Sequence, residues 1–393
     1  MRSLDLFDSK EVGRRLRIAR EAVNLTQKNA ADMVNFARTT LVAIEKGERR
    51  VRFAELQQLA HIYKVSINGL FHSEVVSTDL IPRFRKLAGS DSTAISAAAD
   101  LLTKLVRAEV ELENLLGVQR RKNYPPERPI LPGDVKLQAE QYAQELRQRL
   151  GLGLSPISDV ITLLEYELDV RVYVRRIDSK ISGLFAFDDA AGPCILLNAN
   201  HPRERRTQSA IHETGHYLST RSQPEVLRYN WNDNSREERF ADAFARAFLT
   251  PAQGVLQKFR DVTSGADTLT RRHVIILSHF FGVSREAMVR RLEELELIQS
   301  GTWDWFTVNG GITDEQSRQV LGDLLMPDQQ KAEADRPVTL RLSLLAAEVF
   351  KRQLMSEGQL ARLLCLNRIQ TREMLDDIEA GGVEVDGAPK LLA

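Results

Sequence analysis

Two stretches decide how this chain folds around its chemistry: AIHETGHYL at 210–218 and SREERFADAFARAFLTP at 235–251. His212 and His216 are four residues apart, one helical turn, so their imidazoles lie on one face and can meet a single metal ion. Glu213 stands between them, where a carboxylate can take a proton from a water on that ion. Gly215 permits a neighbouring backbone to come close, at a cost of about 1 kcal/mol in helix propensity. In the second stretch Glu238, Ala241, Asp242, Ala245 and Leu249 recur at helical spacing and share a face. Glu238 can reach the metal while the alanines let the two helices close together. Asp242, one turn on, can orient a ligand histidine or serve as ligand itself; Glu237 is a third, less well placed candidate.

Working outward, three strand-like runs precede the first stretch: VRVYVRR (170–176), ISGLFAF (181–187) and CILLNAN (194–200). CILLNAN is either an edge strand that holds an extended peptide by strand addition or an internal strand. SPISDVITLLEYEL reads as a helix capped by Ser155 with Pro156 at its first position. A helical pair at 270–296 follows the two chemistry-bearing helices, and His273 and His279 within it read as structural. Tyr217 follows Glu213 by four positions but neighbours a ligand, so it is expected to point away from the metal.

The combined pattern, HETGHYL followed by E-x-x-A-D-x-F-A-x-x-F-L-T-P and preceded by PISDVITLLEYELDVRVYV, resembles the ImmA/IrrE metallopeptidase family over about 140–300. The resemblance implies a zincin-like fold of the gluzincin type, a Zn2+ cofactor with Mn2+ as an alternative activating metal, and Glu238 as third ligand beside His212 and His216. It implies Glu213 as general base of a metal-assisted peptide hydrolysis. Asp242 stands where the family usually has asparagine and Thr250 where it has methionine; neither change removes a ligand or the base.

The first 72 residues carry thirteen Lys and Arg against eight Asp and Glu, in a chain of 393 residues whose net charge is zero. A basic first domain in a neutral chain suits nucleic-acid contact. Apolar positions repeat through Val12, Leu16, Ile18 and Ala19, then through Leu41, Ile44, Leu56, Leu59 and Ile62, giving five short helices with Thr26 and Ser66 as caps and Gly47 as a stop. L-T-Q at 25–27, R-T-T-x-x-x-I-E-K-G-E-R at 38–49 and L-x-x-L-A-x-x-Y-x-V at 56–65 resemble the lambda-repressor-like (XRE/Cro) helix-turn-helix family. Ala37 departs from it, where serine is frequent. The resemblance implies a helix entering the major groove with Arg38, Thr39 and Thr40 toward bases and phosphates, Gln27 on backbone phosphate, and Lys46 and Arg49 flanking. It implies a double-stranded DNA operator as partner and a homodimer reading two half-sites.

The expected architecture is α+β, multidomain and mostly helical. A five-helix helix-turn-helix domain occupies 1–74, an amphipathic helix and Pro-rich linker 75–134, a metallopeptidase domain with a small β-sheet 135–300, and a helical regulatory or interaction region 301–393. The 93–117 helix reads as a strut or a dimer seam. Cys194 and Cys365 have no metal-ligand spacing and frame no disulfide set. The start, MRSLDLFDSKEVGRR, has no apolar signal core, and no run approaches 18 apolar residues, so the expectation is a cytoplasmic protein without membrane contact. The functional expectation is a repressor-like regulator whose zinc-dependent endopeptidase domain cleaves itself or a partner repressor or antitoxin. Stress or DNA damage would be the trigger, with single-stranded DNA a candidate signal. The alternatives are a non-proteolytic regulator or antitoxin in which zinc is structural or sensory, and a peptidase whose first domain binds protein. Intact Glu213 favours proteolysis, because a structural zinc needs no general base.

Overall fold

The computed structural model describes residues 9–23, 25–63, 65, 92–118, 120, 122, 124–221, 225–228, 235–322 and 338–381. The chain divides into two compact units, one of residues 1–77 and 110–119 and the other of 78–109 and 120–393.

In the first unit four helices are described: α1 (Ser9–Ala22), α2 (Gln27–Met33), α3 (Arg38–Glu45) and α4 (Phe53–Tyr63). The fifth expected helix and its cap Ser66 lie outside the described residues. Val12, Leu16, Ala19, Leu41, Ile44, Leu56 and Leu59 are buried together, as their periodicity requires. Thr26 caps α2 by accepting from the Asn29 amide. Ala37 precedes α3 with no side-chain cap. The four-residue turn between α2 and α3 places its second residue, Asn35, at φ 55°, and Phe36 N–H bonds the Ala31 carbonyl at 2.9 Å.

A long helix, α5 (Ser92–Leu116), carries an apolar face, including Leu102, Leu105, Val106 and Leu112, that is already covered within the chain. After an irregular segment at 120–134 come α6 (Val135–Arg149) and α7 (Val160–Glu167). The helix expected to start at Ser155 starts five residues later. Asp159 is its cap, accepting from Thr162 N–H at 3.0 Å, while the Ser155 carbonyl accepts from Arg147.

Strands β1 (Arg171–Arg175), β2 (Ile181–Asp188), β3 (Gly192–Asn198) and β4 (Glu225–Arg228) form one sheet in the order β1-β3-β2-β4. β1 runs parallel to β3, and β2 is antiparallel to both β3 and β4. The strand-addition reading of CILLNAN is therefore corrected: β3 is paired on both sides. Every residue of it is buried, which its unbroken apolar run required.

Two helices bearing the chemistry, α8 (Arg203–Ser219) and α9 (Arg236–Leu249), pack against each other and the sheet. On α9, Phe240, Phe244 and Phe248 stack at 6.0 and 5.7 Å and fill the core, leaving the face of Glu238 and Asp242 toward α8. Helices α10 (Ala252–Val262), α11 (Arg271–Phe281), α12 (Arg285–Glu294), α13 (Thr302–Val308) and α14 (Asp314–Leu321) follow. A satellite core of Val274, Ile275, Val289, Phe306, Ile312 and Leu321 ties α13 and α14 to the α11–α12 pair.

The last three helices are α15 (Leu340–Lys351), α16 (Glu357–Leu363) and α17 (Arg368–Gly381). α16 and α17 repeat the construction of α2 and α3. A seven-residue helix capped by Ser356 is followed by a four-residue turn whose second residue, Cys365, has φ 54°. Leu366 N–H bonds the Ala361 carbonyl at 2.9 Å, as Phe36 does Ala31. The chain is thus α+β, predominantly helical and multidomain. Among the described residues no helix is long and apolar enough to cross a membrane.

Candidate metal centre and nucleic-acid interface

The metal site is assembled from the middle of α8 and the first turn of α9. Ser235 caps α9 by accepting from the Glu238 amide at 3.2 Å, which fixes the turn that carries Glu238. The Nε2 atoms of His212 and His216 stand 3.1 Å apart. The Glu238 carboxylate comes within 3.2 Å of His212 Nε2 and 3.4 Å of His216 Nε2. Ligands 2.0–2.1 Å from a tetrahedral zinc stand about 3.3 Å from one another, so this donor set fits that ion. His212, His216 and Glu238 form the candidate metal cluster found among the described residues.

Asp242 lies on the far side of His212, its Oδ1 2.9 Å from Nδ1. That bond would leave Nε2 of the same ring for a metal. Asp242 and Glu238 raise His212 to about 10 even though burial pulls it down. Burial tends to raise Glu238, yet its bonds to both histidines hold it below the usual carboxylate range. Glu237 makes no part of this cluster.

Glu213 is fully buried beside the ligands. It faces β2, where a Cβ built on Gly183 would come 3.1 Å from its Oε1, so the glycine leaves room for the carboxylate. Tyr217 turns the other way, into a ring cluster with Phe185, Phe187 and Tyr124. Gly183 and Tyr124 were not singled out in the sequence, since both act through contacts distant in the chain. His273 caps α11 through a capping box and lies outside the cluster.

Gly215 has the close-approach role its position suggested: a Cβ there would sit 2.9 Å from Ala241 Cα. Alanine would gain about 1 kcal/mol of helix propensity, but the clash is with backbone, and overpacking costs about 1–3 kcal/mol. Gly215→Ala is therefore expected to lower the melting temperature and to loosen metal binding by parting α8 from α9. Thermal melts with and without zinc, beside a chelator competition, measure both. A variant that melts higher and holds metal as tightly would refute the role.

On the first unit, Arg38 and Thr39 are exposed at the start of α3 and Thr40 is half-buried. Gln27 is turned inward: its amide donates to Glu45 at 2.8 Å. Arg49 pairs with Glu55 at 2.8 Å, and Lys46 lies 3.9 Å from Glu48. The structure thus sets Arg38 and Thr39 outward but ties Gln27 and Arg49 to intramolecular carboxylates. It also brings Arg17 and Lys28, which spacing alone did not pick out, to an open cleft of about 400 Å³ beside Arg38 and Gln27. In the C-terminal pair the positions equivalent to Gln27, Lys46 and Arg49 hold Glu357, Asp376 and Glu379, so the repeated geometry is not accompanied by the same basic set.

Comparison with known proteins gives two family matches. Residues 166–293 match the model described as IrrE N-terminal-like domain, a peptidase family, and residues 16–70 match the model described as helix-turn-helix. No curated relative matches the chain. Among solved structures, ComR from Streptococcus suis aligns over 95% of each chain at 12% identity, but with a TM-score of 0.16 it carries no argument. The chain joins an XRE-type helix-turn-helix domain to an IrrE-like peptidase-family domain, the make-up of a DNA-binding regulator with a peptidase-like second part.

Proposed function

We propose that this protein is a DNA-bound regulator whose second domain is a zinc-dependent endopeptidase that cleaves the chain itself or a partner repressor or antitoxin in response to a signal. The observation that carries this reading is the convergence of His212, His216 and Glu238 at 3.1–3.4 Å with the buried carboxylate of Glu213 beside them. A zinc ion bound there would polarise the scissile carbonyl and lower the pKa of its water to about 7. In this scheme Glu213 accepts the proton of the attacking water and returns it to the leaving amine. Asp242 keeps His212 in one tautomer and one orientation. Arg38, Thr39 and the cations around the cleft hold the first domain on duplex DNA, with the homodimer that two half-sites require.

The test is mass spectrometry of the purified full chain incubated with zinc or manganese, with and without single-stranded DNA, alone and beside candidate repressor substrates. A discrete, metal-dependent cut is the expected result. Stoichiometric zinc with no cut in any mixture would overturn the proteolytic reading in favour of a structural or sensory metal.

A further inference from the structure

Helices α15 to α17 are held to the peptidase-like unit by long polar contacts. Arg341 Nε is 3.5 Å from the Glu109 carboxylate, the Arg341 amide is 3.5 Å from Glu165, and Arg175 is 3.4 Å from the Leu364 carbonyl. These lie at the outer limit for hydrogen bonds and ion pairs. Glu109, on α5, is bound far more closely to the sheet: Arg171 and the Tyr173 hydroxyl each reach it at 2.6 Å. The Glu109 anchor therefore survives if α15 departs.

Glu165 is in a different position. It is a buried carboxyl on α7, only 3% exposed, and the start of α15 lies against it. Its close polar partners come from the segment that would leave, so its surroundings change most on undocking. The module itself has the shape of a helix-turn-helix, but Glu357, Asp376 and Glu379 stand where the first domain has Gln27, Lys46 and Arg49. That exchange removes the cations a DNA backbone needs and leaves attachment within the chain as the use the contacts support.

We infer that residues 338–381 form a reversible docking module on α7 and β1, controlled by the proton on Glu165 and held more tightly when that carboxyl is neutral. The groups facing Glu165 are Thr339 and Arg341 from the C-terminal segment, Glu109 from α5, and Tyr166 on its own helix. Burial raises the Glu165 carboxyl from 4.5 to about 7, Glu109 adds to the rise, and Thr339 and Arg341 oppose it. The sign follows. Between pH 4.5 and about 7 the undocked carboxyl is ionised while the docked one keeps its proton. Docking then weakens by up to about tenfold for each pH unit gained across that window, and is flat on either side of it.

Hydrogen exchange of the full chain, corrected for intrinsic rates, tests this between pH 5 and 7.5. Protection across 340–381 is expected to fall with rising pH in the wild type, at up to about tenfold per unit. In Glu165→Gln it should stay high and nearly level, while protection in α8 is unchanged in both. A wild-type profile without slope overturns the proposal, and that measurement does not depend on any variant folding. A Glu165→Gln profile with the wild-type slope overturns it as well.

Discussion

Replacing Glu213 by glutamine is expected to lower metal-dependent peptide cleavage by about two to four orders of magnitude, the usual contribution of a general base, while the metal content of the protein stays the same. The separation of the two effects follows from geometry. Glu213 is not in the cluster formed by His212, His216 and Glu238, whose donor atoms lie within 4.8 Å of one another. Its carboxylate is buried against β2 in the space left by Gly183, and glutamine has nearly the same shape. Packing and ligand positions should persist, but an amide cannot accept the proton of an attacking water. Metal analysis beside mass spectrometry of the products measures both quantities on one sample. His216→Ala is the useful contrast, since removing a ligand should abolish metal and cleavage together. A Glu213→Gln protein that cleaves at the wild-type rate with its zinc in place would end the general-base assignment.

Much of this centre was legible because it is written in short-range spacing. His212 and His216 are one turn apart, and Glu238 shares a helical face with Ala241, whose backbone meets Gly215. Three strands were legible for the same reason, as runs bounded by breakers. Their order was not. The parallel pairing of β1 with β3 joins Arg171 to Cys194 across β2, and nothing local to CILLNAN records that both its edges are taken. The start of α7 was misread because Ser155 and Asp159 are both good caps, and only the tertiary use of the Ser155 carbonyl by Arg147 separates them. Gln27 is the clearest case in the first domain. At the head of α2 it looks poised for a phosphate, yet its amide is taken by a carboxylate eighteen residues away. The groups around Glu109 come from residues as distant as 120, 171 and 341, beyond any periodicity.

Glu45→Ala should be the most damaging single change in the DNA-binding domain. The Glu45 side chain is 2% exposed, and it receives Arg20 through two nitrogens at 2.7 and 3.1 Å and Gln27 at 2.8 Å. Arg20 is itself buried and retains after the change only the Leu25 carbonyl, at 2.7 Å. Removing one side of a buried ion pair costs about 3–5 kcal/mol, because the remaining charge has lost both water and partner. Small domains hold about 5–15 kcal/mol in all, so the loss approaches the whole stability of a four- or five-helix unit. For a domain of this size it corresponds to a fall in melting temperature on the order of 20 °C. Duplex binding should fail with it, since Arg20 and Gln27 border the cleft beside Arg38. The peptidase-like unit has its own core around α6, α8, α9 and the sheet, and metal binding there should be retained. Calorimetry of the full chain, with a gel-shift titration and metal analysis on the same preparation, distinguishes local collapse from general unfolding. If the variant melts within a few degrees of wild type, Glu45 does not hold α1, α2 and α3 together in the way its contacts indicate.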